Sequence, residues 1–172
     1  MGTVGIVTEY NPFHLGHAWQ LREIRRRLGA DTPVVVVMSG PFVQRGEPAF
    51  LDPGTRARCA LKSGVDLVLR LPFPYACASA ERFAAGAVAL LAATGVVDVL
   101  AFGSESGELG PLEGLADFLV EEPEAYRAAL RLQLDRGVSF AAARQAALKE
   151  TAPDPALADR VRSRLVLQQS EA

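Results

Sequence analysis

Both histidines of the chain, His14 and His17, stand three residues apart in the string Glu9-Tyr10-Asn11-Pro12-Phe13-His14-Leu15-Gly16-His17. Two imidazoles so placed can donate hydrogen bonds to phosphoryl oxygens and stabilise the charge that develops when a phosphate is attacked. Pro12 stiffens the turn. Gly16 removes a side chain where a ligand could approach the backbone, and the helix start beyond it supplies N–H groups and a positive dipole end. Two other readings stand beside this one. Histidines three apart can ligate a metal, though no cysteine or acidic triad lies nearby to complete a set, and paired histidines can simply cap or pack. Their placement in one Pro/Gly turn favours chemistry.

A site of this kind needs a strand to deliver the turn and a helix to receive it. Short Val/Ile-rich runs at residues 3–8, 33–38, 65–71 and 96–102 alternate with helical patterns, which predicts an α/β fold with a parallel sheet flanked by helices. The runs are continuously apolar, as strands buried on both faces should be. Leu21, Ile24 and Leu28 recur at helical spacing before Gly29, giving the first crossover helix. Asp52-Pro53 opens a helix through about residue 63, with Asp as N-cap and Pro at N1. Another helix spans about residues 79–93, beginning near a capping signal at Ser79-Ala80-Glu81. Segments 112–122, 124–136, 139–151 and 156–167 all read as helices, so the division expected is an α/β core over 1–110 and a helical segment over 111–172.

The 172 residues suit one domain, and 49% hydrophobic with 22% charged residues excludes disordered, collagenous and coiled-coil classes. Cys59 and Cys77 read as reduced thiols of a cytoplasmic protein, and the apolar stretch 83–101 is broken by Gly86, Gly95 and Asp98, so no membrane span is expected. The net charge of −2 hides an uneven distribution. Between Arg82 and Arg127 lie eight acids and no base, whereas Arg127 to Arg164 carries eight bases and four acids, a local +4. That basic end, with Arg131, Arg144 and Arg160, is either a solvated helix face or a surface for a polyanion.

His14-Leu15-Gly16-His17 is similar to the HxGH signature of the nucleotidyltransferase superfamily. Four motifs narrow the resemblance: Gly5 through His17; Val37-Met38-Ser39-Gly40-Pro41-Phe42-Val43-Gln44-Arg45-Gly46-Glu47-Pro48; Leu71-Pro72-Phe73-Pro74-Tyr75 through Ser79-Ala80-Glu81; and Phe102-Gly103-Ser104-Glu105. Over roughly residues 1–150 the chain resembles the tRNA(Met) cytidine acetate ligase family. The resemblance implies a Rossmann-like HxGH nucleotidyltransferase fold and a two-step reaction. ATP, with Mg2+, and acetate would give acetyl-adenylate and pyrophosphate, and the acetyl group would pass to N4 of the wobble cytidine of elongator tRNA(Met).

The same resemblance places ATP on Val7, Thr8, Glu9, Tyr10, Asn11, Pro12, Phe13, His14, Leu15, Gly16, His17, Ala18, Trp19 and Gln20, with Gly103 at the adenosine. His14 and His17 would be catalytic, stabilising the α-phosphate transition state. Ser39, Gln44 and Arg45 fit a second loop over the site, where Arg45 either holds a phosphate or acetate carboxylate bidentately or is a surface charge. Glu105 either orients the ribose or is an exposed loop acid. Family members continue with an Asn-rich motif and a Ser/Thr-and-Arg motif that complete the phosphate site; neither is present here, and the chain is expected to be a truncated relative. Two further functions suit the HxGH turn: adenylyl transfer to a small phosphorylated cofactor precursor, and nucleotide binding without catalysis.

Overall fold

The computed structural model describes residues 2–44, 46–104 and 109–152, together with the backbone of 164–169. Apolar, β-branched runs form β1 (Thr3–Thr8), β2 (Val34–Met38), β3 (Leu67–Arg70) and β4 (Val97–Ser104). Between them lie α1 (Leu15–Leu28), α2 (Pro53–Lys62), the single turn α3 (Phe73–Ala76) and α4 (Ala80–Ala93). After β4 come α5 (Gly110–Glu121), α6 (Glu124–Asp135), α7 (Phe140–Thr151) and β5 (Arg164–Gln169). The strand order is β3-β2-β1-β4-β5, and β1 runs parallel to both β2 and β4, as β2 does to β3.

That order explains where a ligand can sit. The chain steps from β1 to β2 to β3 in one direction and then returns across the sheet to β4. Right-handed crossovers therefore put α1 and α2 on one face and α4 on the other. Strand order reverses at β1, so the topological switch point falls at its carboxyl end. Alternate side chains of β2 face opposite ways: Val35 and Val37 pack with Leu71, Ala76, Phe83, Ala87 and Leu91, while Val34 and Val36 are buried on the other side. All five β2 residues are buried, as a central strand requires.

Capping is local and legible. Asp52 accepts a hydrogen bond from the Thr55 N–H at 2.9 Å and Pro53 takes the first helical position of α2. Gly29 ends α1 at φ 120°, its N–H reaching the Arg25 carbonyl. Ser79 is the N-cap of α4 but makes no side-chain cap bond. Two expectations change. The run at 65–71 was expected to be buried on both faces; β3 is instead an edge strand, and Leu67 is 45% exposed because it has a neighbour on one side alone. The helix expected at 156–167 is not what forms at its end: residues 153–163 lie outside the described residues, and 164–169 is a strand at the β4 edge. An extended segment there pairs backbone groups that a bare edge leaves open.

The chain divides into two compact units, Met1–Phe102 with Leu167–Ala172, and Gly103–Val166. The second has its own core of Phe118, Tyr126, Ala129, Ala147, Leu148 and Ala152. Ser139 caps α7 through the Ala142 N–H.

Gly5 lies where β1 meets α4. A Cβ at this position would stand 2.8 Å from Val97 Cγ1 and 2.9 Å from Leu91 Cδ1. Gly5→Ala is expected to cost about 1–3 kcal/mol by overpacking. Urea denaturation should show a lower midpoint with an unchanged slope; an unchanged midpoint would mean that α4 does not seat this closely on the sheet.

Candidate active site

The turn after β1 is shaped by a residue far along the chain. Arg56 of α2 is fully buried. Its Nε donates to the Leu51 carbonyl at 3.1 Å, one terminal nitrogen to the Glu9 carbonyl and to Ser39 Oγ at 3.3 Å, and the other to the carbonyls of Ser39 at 3.1 Å and Gly40. One guanidinium thus ties together the loop after β1, the loop after β2 and the approach to α2. A guanidinium has donors and no acceptor, so carbonyl oxygens suit it. Burial lowers its pKa, opposed by the carboxylates of Glu9 and Asp52; arginine stays charged through such shifts.

Further bonds fasten the same loops. The Gln44 N–H donates to Glu9 Oε1 at 2.6 Å, and the Phe50 N–H to Asn11 Oδ1 at 2.6 Å. The Ser39 N–H donates to the Thr8 carbonyl at 3.3 Å. Between these points the chain doubles back, with Val43 N–H on the Glu47 carbonyl, Ala49 N–H on the Pro41 carbonyl, and Gly46 at φ 79° in the bend. Ser39 is fully buried and engaged by Arg56, so in this conformation it positions the loop. Arg45 and Glu105 lie outside the described residues.

Tyr10 redirects the chain with φ 45°, a conformation that costs a non-glycine residue on the order of 1–3 kcal/mol. Its ring is buried, 4.9 Å from Phe13 and 4.7 Å from His17, both edge to face. Its hydroxyl has no hydrogen-bond partner among the described residues, and burial pushes the phenol up from its ordinary value. The following peptide bond, Asn11–Pro12, is cis.

His14 is the N-cap of α1 and His17 its third residue, and they cap reciprocally. The Gly16 N–H donates to His14 Nδ1 at 3.1 Å, and the His14 N–H donates to His17 Nδ1 at 3.2 Å. This is the logic of a capping box with imidazoles in place of hydroxyl and carboxylate. The rings stack with centroids 3.7 Å apart. The capping reading of the pair is therefore realised, and it prepares the chemical one. Because each Nδ1 accepts a backbone N–H, each neutral ring must carry its proton on Nε2, leaving that N–H as the donor for a ligand. Burial, and then the charge of His14, lower His17 from 6.5 to about 4, so it is neutral at pH 7.

The capping also changes how the helix start can be used. The His17 and Ala18 N–H groups bond to the His14 carbonyl and that of Gly16 to the His14 ring, so three amides of the first turn are already engaged. Space beside Gly16 is taken too: a Cβ there would lie 2.9 Å from His14 Cε1. Gly16 thus admits the His14 ring, where the sequence suggested that it admits a ligand.

The structure brings Tyr10, Phe13, His14 and His17 into one ring cluster. Leu15 and Trp19, on the same helix turns, are 85% and 48% exposed. Gly103 is the penultimate residue of β4 and belongs to the second unit, as do exposed Arg131 on α6 and half-buried Arg144 on α7. Arg160 lies outside the described residues. Among the described residues no three His, Cys, Asp or Glu side chains converge on a metal site. No helix among the described residues is long and apolar enough to cross a membrane. Arg56 was missed in the sequence, where it is one arginine among many. The available signal was its spacing of four from Ala60, which marks the inward face of α2.

Two measurements check this geometry. Arg56→Met should destabilise the fold by about 3–5 kcal/mol in urea denaturation, since it leaves several buried carbonyls without donors. A loss below 1 kcal/mol would show that water satisfies them. For His17 the unfolded chain takes up the proton first, so its contribution is complete above pH 6.5 and is lost as pH falls toward about 4. Proton NMR titration should give one imidazole near 4, and His17→Gln should flatten that part of the stability profile; an imidazole titrating near 6.5 at this position would overturn the assignment.

The turn's architecture, a strand delivering an HxGH box onto a helix start at a switch point, has close parallels. The HIGH Nucleotidyl Transferase family matches residues 1–170. The chain is 51% identical over 150 residues to the tRNA(Met) cytidine acetate ligase of Acetivibrio thermocellus, covering 87% of this chain and 36% of that protein. It is 55% identical over 144 residues to the enzyme of the same name from Syntrophotalea carbinolica, covering 84% and 34%. A crystal structure of Thermotoga maritima TmcAL bound with alpha-thio ATP superposes with a TM-score of 0.80 at 47% identity, over 87% of this chain and 36% of that one. The chain thus spans about a third of the length of these relatives and corresponds to an N-terminal part of them. With the histidine box, the parallel sheet and the match over residues 1–170 in agreement, the chain belongs to the HIGH nucleotidyltransferase family.

Proposed function

We propose that this chain binds ATP over the β1–α1 turn and activates acetate as acetyl-adenylate, the first half of a tRNA(Met) cytidine acetate ligase reaction. The observation that carries the reading is the stacked His14–His17 pair, whose Nδ1 atoms are committed to the helix cap and whose Nε2–H groups remain for a ligand. Support comes from relatives named for that reaction and from a related structure holding an ATP analogue.

In the first step an acetate oxygen attacks the α-phosphorus. The bond from that phosphorus to the oxygen bridging toward the β-phosphate breaks, and pyrophosphate leaves with the electron pair. Negative charge grows on the non-bridging α-oxygens, where two N–H donors fixed before the reaction act without reorganisation. Neutral His17 also keeps its donor role over a wide pH range. Phosphoryl transfer asks a protein chiefly for positioning and charge stabilisation, and this turn offers both. Loop residues Gln44 and Arg45 would close over the phosphates or the acetate carboxylate, with Ser39 holding that loop through Arg56. Gly103 would approach the adenosine, where the absence of a side chain admits a ring.

In the second step the exocyclic N4 of the wobble cytidine attacks the acetyl carbonyl carbon. The carbon–oxygen bond to phosphate breaks, AMP leaves, and N4 loses a proton to solvent. Arg131 and Arg144 on the basic helices, together with Arg160, would meet the tRNA backbone, a contact weakened by salt.

The test separates chemistry from capping. His14→Asn and His17→Gln keep an acceptor at each capping position. Both should reduce acetate-dependent ATP–pyrophosphate exchange by 100-fold or more, on the order of what one lost charge-stabilising donor costs, with thermal unfolding nearly unchanged. Exchange at the parent rate in both variants would overturn the catalytic assignment. Exchange stimulated by a small phosphate ester and not by acetate would replace the reading with adenylyl transfer to a cofactor precursor.

A further inference from the structure

A cavity of about 430 Å³ lies at the carboxyl ends of β2 and β3, walled by Phe42, Phe73, Pro41, Pro72 and Leu71, with Arg70 at its side. Its volume falls in the range of about 300–1,000 Å³ usual for small-molecule sites and far exceeds the needs of a two-carbon carboxylate. Phe42 and Phe73 meet edge to face at 5.6 Å, and both rings remain open to solvent, at 37% and 60% exposure. Each is held by its backbone: Phe42 bridges to Pro48, and Phe73 begins α3 after Pro72, which follows Leu71, whose N–H bonds to the Met38 carbonyl at 2.9 Å. The Arg70 guanidinium has no acceptor among the described residues, although its stem lies along Gly40. Aromatic faces beside an uncommitted guanidinium are how proteins take up bases splayed from single-stranded RNA.

We propose that this cavity is a pyrimidine subsite, in which Phe42 and Phe73 pack on an unstacked cytosine and Arg70 addresses its O2 and N3 acceptors. The inference rests on the acetate-ligase reading for the identity of the base, and it assigns the acceptor's place. Guanidinium carries donors alone. It pairs with the two ring acceptors and offers nothing to the exocyclic amine, which stays free as the nucleophile. Uracil presents a donor at N3 and is disfavoured by the same fork. Strands are about 4.8 Å apart, so a cavity at the ends of β2 and β3 lies roughly 7 Å across the sheet from the line of β1, whose carboxyl end leads into the histidine turn. That is a span one nucleoside can bridge toward an acyl-adenylate.

The experiment measures binding of two fluorescein-labelled RNAs, a uridine heptamer and the same heptamer with one central cytidine, to the 172-residue chain, alongside α-thio ATP binding. The parent should prefer the cytidine RNA by about ten-fold, the discrimination expected of one good bidentate contact. Arg70→Ala and the conservative Arg70→Lys should abolish the preference, and Phe73→Ala should weaken that RNA by five-fold or more, as for a lost base stack. α-Thio ATP affinity should not change in these variants. No preference in the parent, or a preference that survives both Arg70 variants, overturns the subsite, including the case in which another protein segment covers this face. If the preference behaves as stated while α-thio ATP fails to bind the parent, the subsite stands and the acetate-activation reading falls.

Discussion

A single buried cation organises the end of the sheet where the chemistry-bearing residues gather. Arg56 donates to carbonyls from three separate stretches, at Glu9, at Ser39 and Gly40, and at Leu51. Loops beyond parallel strands leave backbone carbonyls with no ladder partner, and a buried orphan of this kind costs about 1–3 kcal/mol. One guanidinium with five donors answers several at once. The arrangement has no rotational slack, because the fork is planar. Consequently the turn after β1 and the loop after β2 are referred to one point.

On that platform one pair of side chains caps the helix and, in the function proposed for it, serves a phosphate. Helix starts need acceptors for their first amides, and a phosphate site needs donors. An imidazole has one nitrogen for each task. His14 and His17 spend Nδ1 on the cap, so in a neutral ring the need to cap the helix selects the Nε2–H tautomer. Tyr10, at positive φ, sets its ring against His17 and contributes to the burial that holds His17 neutral. Gly16 completes the arrangement by leaving room for the His14 ring.

Much of this is legible in the sequence of residues 3–104. The Val/Ile runs became β1 to β4 with boundaries shifted by a few residues, because short β-branched runs between turn residues suit strands at the centre and at the edge of a sheet alike. Asp52-Pro53 and Gly29 marked helix ends because caps are local chemistry. The histidine pair was legible as a candidate site through its spacing and its turn, and the family match agrees with the fold. The edge character of β3 was not legible, since Leu67, Val68 and Leu69 look as apolar as a central strand. Neither was β5, whose sequence Arg164-Leu165-Val166-Leu167 suits a helix as readily as a strand until an open edge is available.

Composition, periodicity and motif thus determined the class of fold, the order of its elements and the turn that carries the histidines. They could do so because those properties depend on residues near one another in the chain. Tertiary structure alone decided that Arg56, 47 residues from Glu9, would bind its carbonyl, that His14 and His17 would stack as caps, and that Phe42 and Phe73 would frame a cavity with Arg70. Each of these depends on which strands become neighbours. Sheet order brings the ends of β1, β2 and β3 together, and no local pattern encodes that distance.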